Sequence, residues 1–120
     1  MEFKQCSFVS DKTEFHIDVN FTMDDREIKY ILTIDCHFPQ KIVITSSEYP
    51  QDDYIIIETT NNREFKAFTK RNGVLSKITE TEKEEVSDVL YYASKYLSET
   101  TYLNWIETVQ YFSREFGSEF

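Results

Sequence analysis

One stretch, Thr13–Phe38, constrains the fold more than any other part of the chain. Apolar side chains occupy every second position on both sides of the dipeptide Asp24-Asp25. They are Phe15, Ile17, Val19, Phe21 and Met23 before it, and Ile28, Tyr30, Leu32, Ile34, Cys36 and Phe38 after it. A period of two is typical of a strand with one buried face. A turn at Asp24-Asp25 sets inward residues opposite inward residues, so the stretch predicts a β-hairpin.

The same register predicts a polar outer face on this hairpin. Glu14 then lies directly opposite Asp35, and His16 lies diagonal to the same carboxylate. His37 pairs with Lys12 at the neighbouring position. Carboxylates and imidazoles close together could bind a divalent metal or act as an acid–base pair. Alternation also puts polar residues on any solvated sheet face, and we favour that second interpretation.

Further strand signals follow in the first 78 residues. Apolar and β-branched runs predict strands at 1–9, 41–45, 54–59, 64–69 and 74–75. Asn61-Asn62 and Asn72-Gly73 are turn dipeptides, and Asn-Gly is the strongest hairpin-turn signal in the chain. These elements predict an antiparallel meander sheet of six or seven strands, either curled or closed into a partial barrel.

The segment 46–53 is the longest predicted loop. It is polar and contains Pro50, with a second proline, Pro39, shortly before the preceding strand. Tyr49 is its only aromatic residue before the next strand. This side chain could anchor the loop or project from it, and the sequence leaves both alternatives open.

From Thr79 onward the period of the apolar residues becomes helical. Thr79 and Glu82 have the spacing of a capping box, which marks a helix N-terminus. One apolar stripe consists of Val86, Val89, Leu90, Ala93 and Leu97, and a second of Tyr102, Trp105, Ile106, Val109, Phe112 and Phe116. An interruption near 98–101 separates them, so 79–116 is expected to form a helical pair covering the sheet.

The expected architecture is therefore an α+β fold in a single domain, 1–120, with the sheet in 1–78 and the helical pair in 79–116. Gly117 is well placed to end the last helix. The tetrapeptide 117–120, Gly-Ser-Glu-Phe, also matches what two adjacent cloning sites encode. A native C-terminus and a cloning scar both remain open.

Composition excludes several kinds of chemistry. Two glycines cannot build a phosphate-binding loop of the GxGxxG or GxxxxGK[ST] type, so we expect no cofactor. Cys6 and Cys36 lack the spacing of a metal site or a secretory context and are interpreted as reduced thiols in or near the core. With neither a leader nor a membrane span in the sequence, the expected location is the cytoplasm of a cell or a virus-infected host.

Charge is distributed unevenly along the chain. Arg63, Lys66, Lys70, Arg71 and Lys77 are followed at once by Glu80, Glu82, Glu84, Glu85 and Asp88. The basic hairpin and the acidic start of the helix could simply face one another. Alternatively, the helix presents an acidic surface with an aromatic anchor. Its predicted residues are Glu84, Asp88, Tyr91, Lys95 and Glu99, opposite the apolar stripe.

The net charge of −9 disfavours nucleic acid and anionic membranes as partners and favours a protein with a basic surface. The bases of 63–77 alternate with Phe65 and Phe68, which would suit base stacking, but the overall field opposes it. An exposed strand edge could also pair two copies into a homodimer.

The functional expectation is a small acidic protein that binds another protein and performs no catalysis. Its profile suits an inhibitor, such as a toxin-immunity protein or a phage anti-defence protein that mimics nucleic acid and occludes a basic site. The alternatives are a metal-dependent or acid–base enzyme using the outer face of hairpin 13–38, and a ligand-binding sheet-and-helix module.

Overall fold

Seven strands form one antiparallel sheet in which each strand pairs with its neighbours along the chain. The structure is a computed structural model that describes residues 2–10, 15–35, 40–59, 64–97 and 109–116. The strands are β1 (Glu2–Ser10), β2 (Phe15–Met23), β3 (Arg26–Asp35), β4 (Lys41–Ser46), β5 (Tyr54–Thr59), β6 (Phe65–Arg71) and β7 (Val74–Lys77). Helix α1 (Glu80–Leu97) follows, and the chain is helical again at 109–116, here called α2. The predicted α+β meander with two C-terminal helices is confirmed, and its sheet is not closed into a barrel.

The predicted hairpin is formed by β2 and β3 in the predicted register. Ile17 lies opposite Leu32 and Phe21 lies opposite Ile28, so both strands turn the same face inward. Asp24 and Asp25 have φ angles of 52° and 64°. Two consecutive positive φ angles are those of a type I′ turn, whose twist matches that of the flanking strands.

The core lies between the inner face of the sheet and the helices. The sheet contributes Cys6, Ile17, Val19, Phe21, Ile28, Tyr30, Leu32, Ile34, Ile42, Ile44, Ile55, Ile57, Phe65 and Ala67. The predicted helical stripes contribute Val86, Val89, Leu90 and Ala93 from α1, and Val109, Phe112 and Phe116 from α2. The side chain of Leu97 and residues Tyr102, Trp105 and Ile106 lie outside the described part of the chain. No helix among the described residues is both long and apolar enough to span a membrane.

The edges of the open sheet are β1 and β7. At β1, the register shifts between Phe3 and Gln5, as expected for a β-bulge, a common feature of protected edges. At β7, Asn72 and Gly73 form the predicted turn, with φ angles of 52° and 79°. The predicted turn at Asn61-Asn62 and the segment 117–120 lie outside the described residues.

Cys6 is a buried thiol, as its position in the pattern predicts. Its side chain is 5% exposed on the inner face of β1, opposite Val19. Burial, with a smaller contribution from the Asp18 carboxylate, raises the pKa of the thiol to about 12. Because the thiol stays protonated at neutral pH, Cys6 is a poor nucleophile. Cys36 is not among the described residues.

The register of β3 can be tested with two adjacent alanine substitutions. Leu32→Ala empties a fully buried site and should lower the free energy of unfolding by about 2–5 kcal/mol. Ile31→Ala, on the half-buried outer face, is the matched control and should cost about 1 kcal/mol. Urea denaturation measures both values. Equal losses of free energy of unfolding in the two variants would contradict the assignment of Leu32 to the buried face of β3.

Candidate functional site

The start of α1 is held by the predicted capping box. The Thr79 backbone N–H donates to Oε1 of Glu82 at 3.0 Å, and the Glu82 N–H donates to Oγ1 of Thr79 at 3.2 Å. Arg71 Nη2, at the end of β6, donates to the other oxygen, Oε2, at 2.6 Å. The basic hairpin and the acidic helix start therefore do face one another at Arg71 and Glu82.

Glu82 is a buried carboxylate that remains ionised. It is 6% exposed, and burial alone would raise its pKa. Hydrogen bonds from the backbone and side chain of Thr79, together with those from Thr69 and Arg71, outweigh that effect and lower the pKa below its ordinary value. Glu82 is thus committed to holding α1 on the sheet and is not available to a partner.

A second inward carboxylate, Glu85, connects α1 to the sheet and to the long loop between β4 and β5. The hydroxyl of Tyr49 donates to Oε1 of Glu85 at 2.5 Å, and the hydroxyl of Tyr30 donates to the same oxygen at 2.9 Å. Burial and the neighbouring Glu85 carboxylate raise the pKa of both tyrosines. Of the two alternatives for Tyr49, the structure shows that it anchors the loop.

Two of the three acids of the predicted surface point to solvent. Glu84 and Asp88 are exposed, and neither forms an ion pair within the described part of the chain. Tyr91 is 54% exposed on the same face. Lys95 Nζ lies 6.0 Å from the centroid of its ring. The structure therefore brings four of the five predicted residues onto one solvent-facing stripe, while Glu99 lies outside the described residues.

Glu84 and Asp88 also form one wall of a surface groove of about 460 Å³. The groove is lined by Met23, Arg26, Ile28, Tyr30, Glu48, Tyr49, Thr81, Glu84, Glu85 and Asp88. Arg26 Nε lies 3.2 Å from Oε1 of Glu48, so the Glu48 carboxylate forms an ion pair within the protein. Apolar and aromatic side chains beside carboxylates suit the alkyl stem and charged end of a lysine or arginine. Sequence reasoning did not find this groove, because its residues come from three distant segments.

The alternative cluster on the hairpin is described only in part. His16 Nδ1 lies 3.2 Å from the hydroxyl of Thr33, its predicted neighbour across the strands. Asp35 is exposed at the end of β3. Glu14 and His37 lie outside the described residues, and no group of three or more metal-ligating side chains occurs among those that are described. The metal and acid–base hypotheses for this face stay untested.

The two phenylalanines in the basic segment differ in their environment. Phe65 is 6% exposed, and its ring centroid lies 5.0 Å from that of Phe112 on α2. It is part of the core and cannot stack on a base, contrary to the nucleic-acid alternative. Phe68 lies on the outer face and is half-buried. Of the two phenylalanines in this segment, Phe68 alone could therefore contribute to a base-stacking surface.

Comparison of the chain with known protein families, curated proteins and solved structures finds no match. The function of the exposed face of α1 is therefore inferred from the geometry and charge of its own residues.

Acid titration can test the role of Glu82. Its lowered pKa means that its ionised form stabilises the fold above about pH 4.5, and that this contribution is lost as pH falls through the folded-state pKa. Glu82→Gln should lower the free energy of unfolding at pH 7 by about 1–3 kcal/mol and weaken the loss of stability that the wild type shows as the pH falls below about 4.5. Urea denaturation at several pH values gives the profile. The matched control, Glu84→Gln on the exposed face, should behave like the wild type.

The anchoring of the long loop by Tyr49 is tested by removing one hydroxyl. Tyr49→Phe should lower the free energy of unfolding by about 1 kcal/mol, because one hydrogen bond to Glu85 is lost. Amide exchange should also accelerate at Tyr49 and Asp53, whose N–H groups are bonded within the loop. Tyr54→Phe is the control, since the Tyr54 hydroxyl makes no hydrogen bond to described residues. If amide exchange is unchanged in Tyr49→Phe, the loop keeps its conformation without the hydrogen bond from Tyr49.

Proposed function

We propose that this protein binds a partner protein with a basic surface through the exposed face of α1, and that it acts by occlusion rather than by catalysis. We define the acidic face as Glu84, Asp88, Tyr91 and Lys95, together with the groove beside it. The observation that carries the proposal is that Glu84 and Asp88 are exposed and unpaired among the described residues. Their neighbours Glu82 and Glu85 are bound within the fold.

The rigidity of the face supports this function. Glu84 and Asp88 lie one helical turn apart on an 18-residue helix. The first turn of this helix is capped and bonded to β6 through Glu82, and Glu85 in the second turn is bonded to β3 and to the β4–β5 loop. Carboxylates held on such a helix keep a fixed spacing, so little conformational entropy is lost when a partner binds. Negative potential also speeds the encounter with a basic protein.

Tyr91 provides the apolar part of the interface. Its ring is 54% exposed and is supported from below by the edge of Tyr92, at a centroid distance of 5.2 Å. Tyr92 in turn stacks on Phe3 of β1 at 4.6 Å and an interplanar angle of 2°. A tyrosine that is both exposed and supported in this way is typical of a binding hot spot.

The partner class follows from charge. A lysine or arginine of the partner can place its charge between Glu84 and Asp88 while its stem contacts the partly exposed Met23 in the groove. Proteins that bind nucleic acid have such side chains concentrated at their active surfaces. An inhibitor of the immunity or anti-defence type would cover that surface, with the carboxylates in place of phosphates.

Charge reversal on the acidic face tests the proposal. The double variant Glu84→Lys, Asp88→Lys should weaken the affinity for a partner captured with the wild type at least about tenfold, because attraction becomes repulsion. Tyr91→Ala should weaken it independently. Binding is measured by calorimetry or surface plasmon resonance at low and moderate salt, and circular dichroism checks the fold.

The matched control is Glu2→Lys with Glu58→Lys, which changes the net charge equally on the outer face of the sheet, opposite the face that packs against α1. It should bind nearly as tightly as the wild type. If the α1 variant binds its partner unchanged at low salt, the acidic face is not the interface. If both variants weaken binding equally, only net charge matters and no specific face is involved.

A further inference from the structure

The outer edge of strand β7 is a second candidate binding surface, and it differs from the acidic face of α1 in being apolar and flanked by lysines. Among the described residues β7 has only β6 as a neighbour, and all four of its residues are exposed. Val74 is 65% exposed and Leu75 is 53% exposed, and these are the two most exposed large aliphatic residues of the described chain. An accessible edge with exposed apolar side chains is a template for another strand.

The backbone groups at this edge can be assigned from the pairing. Ile78 N donates to the carbonyl of Ala67 at 3.5 Å, so residue 78 directs its backbone toward β6. Because successive residues of an antiparallel strand alternate in direction, Val74 and Ser76 also face β6. Leu75 and Lys77 therefore direct their N–H and C=O groups away from the sheet.

Strands β6 and β7 carry basic side chains although the molecule as a whole is acidic. Residues 65–77 contain four basic side chains and no acidic one. Arg71 is paired with Glu82. Lys66 and Lys77 are exposed, and Lys70, opposite Leu75, lies with its Nζ 5.5 Å from the centroid of the Tyr54 ring. The edge therefore combines unpaired backbone groups, two apolar side chains and a local excess of lysine.

We propose that the edge of β7 binds an extended acidic segment of a partner protein as an eighth strand. Backbone hydrogen bonds to Leu75 and Lys77 would provide the affinity, as in other cases of strand addition. The lysines select a segment with acidic residues at alternate positions. They also disfavour a second copy of this chain, because pairing β7 with its twin brings two basic hairpins together. This inference does not depend on the function proposed for the α1 face.

The probe is a fluorescein-labelled eight-residue peptide of alternating glutamate and valine, and its binding to the full chain is followed by anisotropy at low salt. Leu75→Pro should weaken binding about tenfold, because it removes an outward N–H without touching the β6–β7 hydrogen bonds. Leu75→Ala is the matched control. It keeps the N–H and should bind clearly better than the proline variant. Lys77→Glu should weaken binding by reversing the charge beside the added strand.

Several results would overturn the proposal. One is no binding of the peptide by the wild type at concentrations up to about 1 mM, and another is equal binding by the proline and alanine variants. Equally tight binding of a lysine–valine peptide would remove the charge argument. Tighter binding of a labelled oligothymidylate would identify nucleic acid as the occupant.

The remaining alternative is that a second copy of this chain occupies the edge, and sedimentation analysis tests it. A wild-type dimer that dissociates in Leu75→Pro would assign the edge to that second copy and overturn the proposal. The variant Glu84→Lys, Asp88→Lys should retain peptide binding in full. Its behaviour separates a failure of this proposal from a failure of the one for α1.

Discussion

Two carboxylates that point from the start of α1 into the fold determine how the helix lies on the sheet. Glu82 is bonded to the helix cap and to Arg71, and Glu85 accepts hydrogen bonds from Tyr30 and Tyr49. Buried or half-buried acids of this kind need such partners, since an unpaired charge in the interior is costly. With these two acids turned inward, the helical period leaves Glu84 and Asp88 facing solvent. The division of one acidic segment into a structural half and an exposed half is therefore a consequence of packing.

Much of the fold could be predicted because the relevant signals are local and periodic. In the β2–β3 hairpin, parity excludes every shift of the register by one residue, because such a shift would set Leu32 opposite His16 or Asp18. The turn at Asp24-Asp25 then selects among the registers that remain. The turn dipeptide Asp24-Asp25 is a weaker signal than Asn-Gly, yet both turns adopt left-handed φ angles. The apolar stripe of α1 was predictable for the same reason, and the exposed face of the helix is the side opposite to it.

Contacts between distant segments could not be predicted in this way. Tyr49 belongs to a loop without any period, and its bond to Glu85 joins residues 36 positions apart. Tyr49 and Glu85 both line the groove beside α1, so the sequence showed the acidic residues without showing the cavity that they line. Phe65 and Phe68 illustrate a related limit. Both belong to a basic segment, but the pleat puts the first in the core and the second on the outer face.

The meander order has a consequence for how the molecule reaches its native state. Every hydrogen-bonded strand pair joins neighbours along the chain, so the sheet has low contact order for a β structure. Small loops close at little entropic cost, and the sheet can grow hairpin by hairpin from tight turns. The contacts that span long separations are those of the helices, including Tyr30 with Glu85, 55 positions apart. The packing of the two helices onto the sheet is thus what joins distant segments of the chain into one cooperative core.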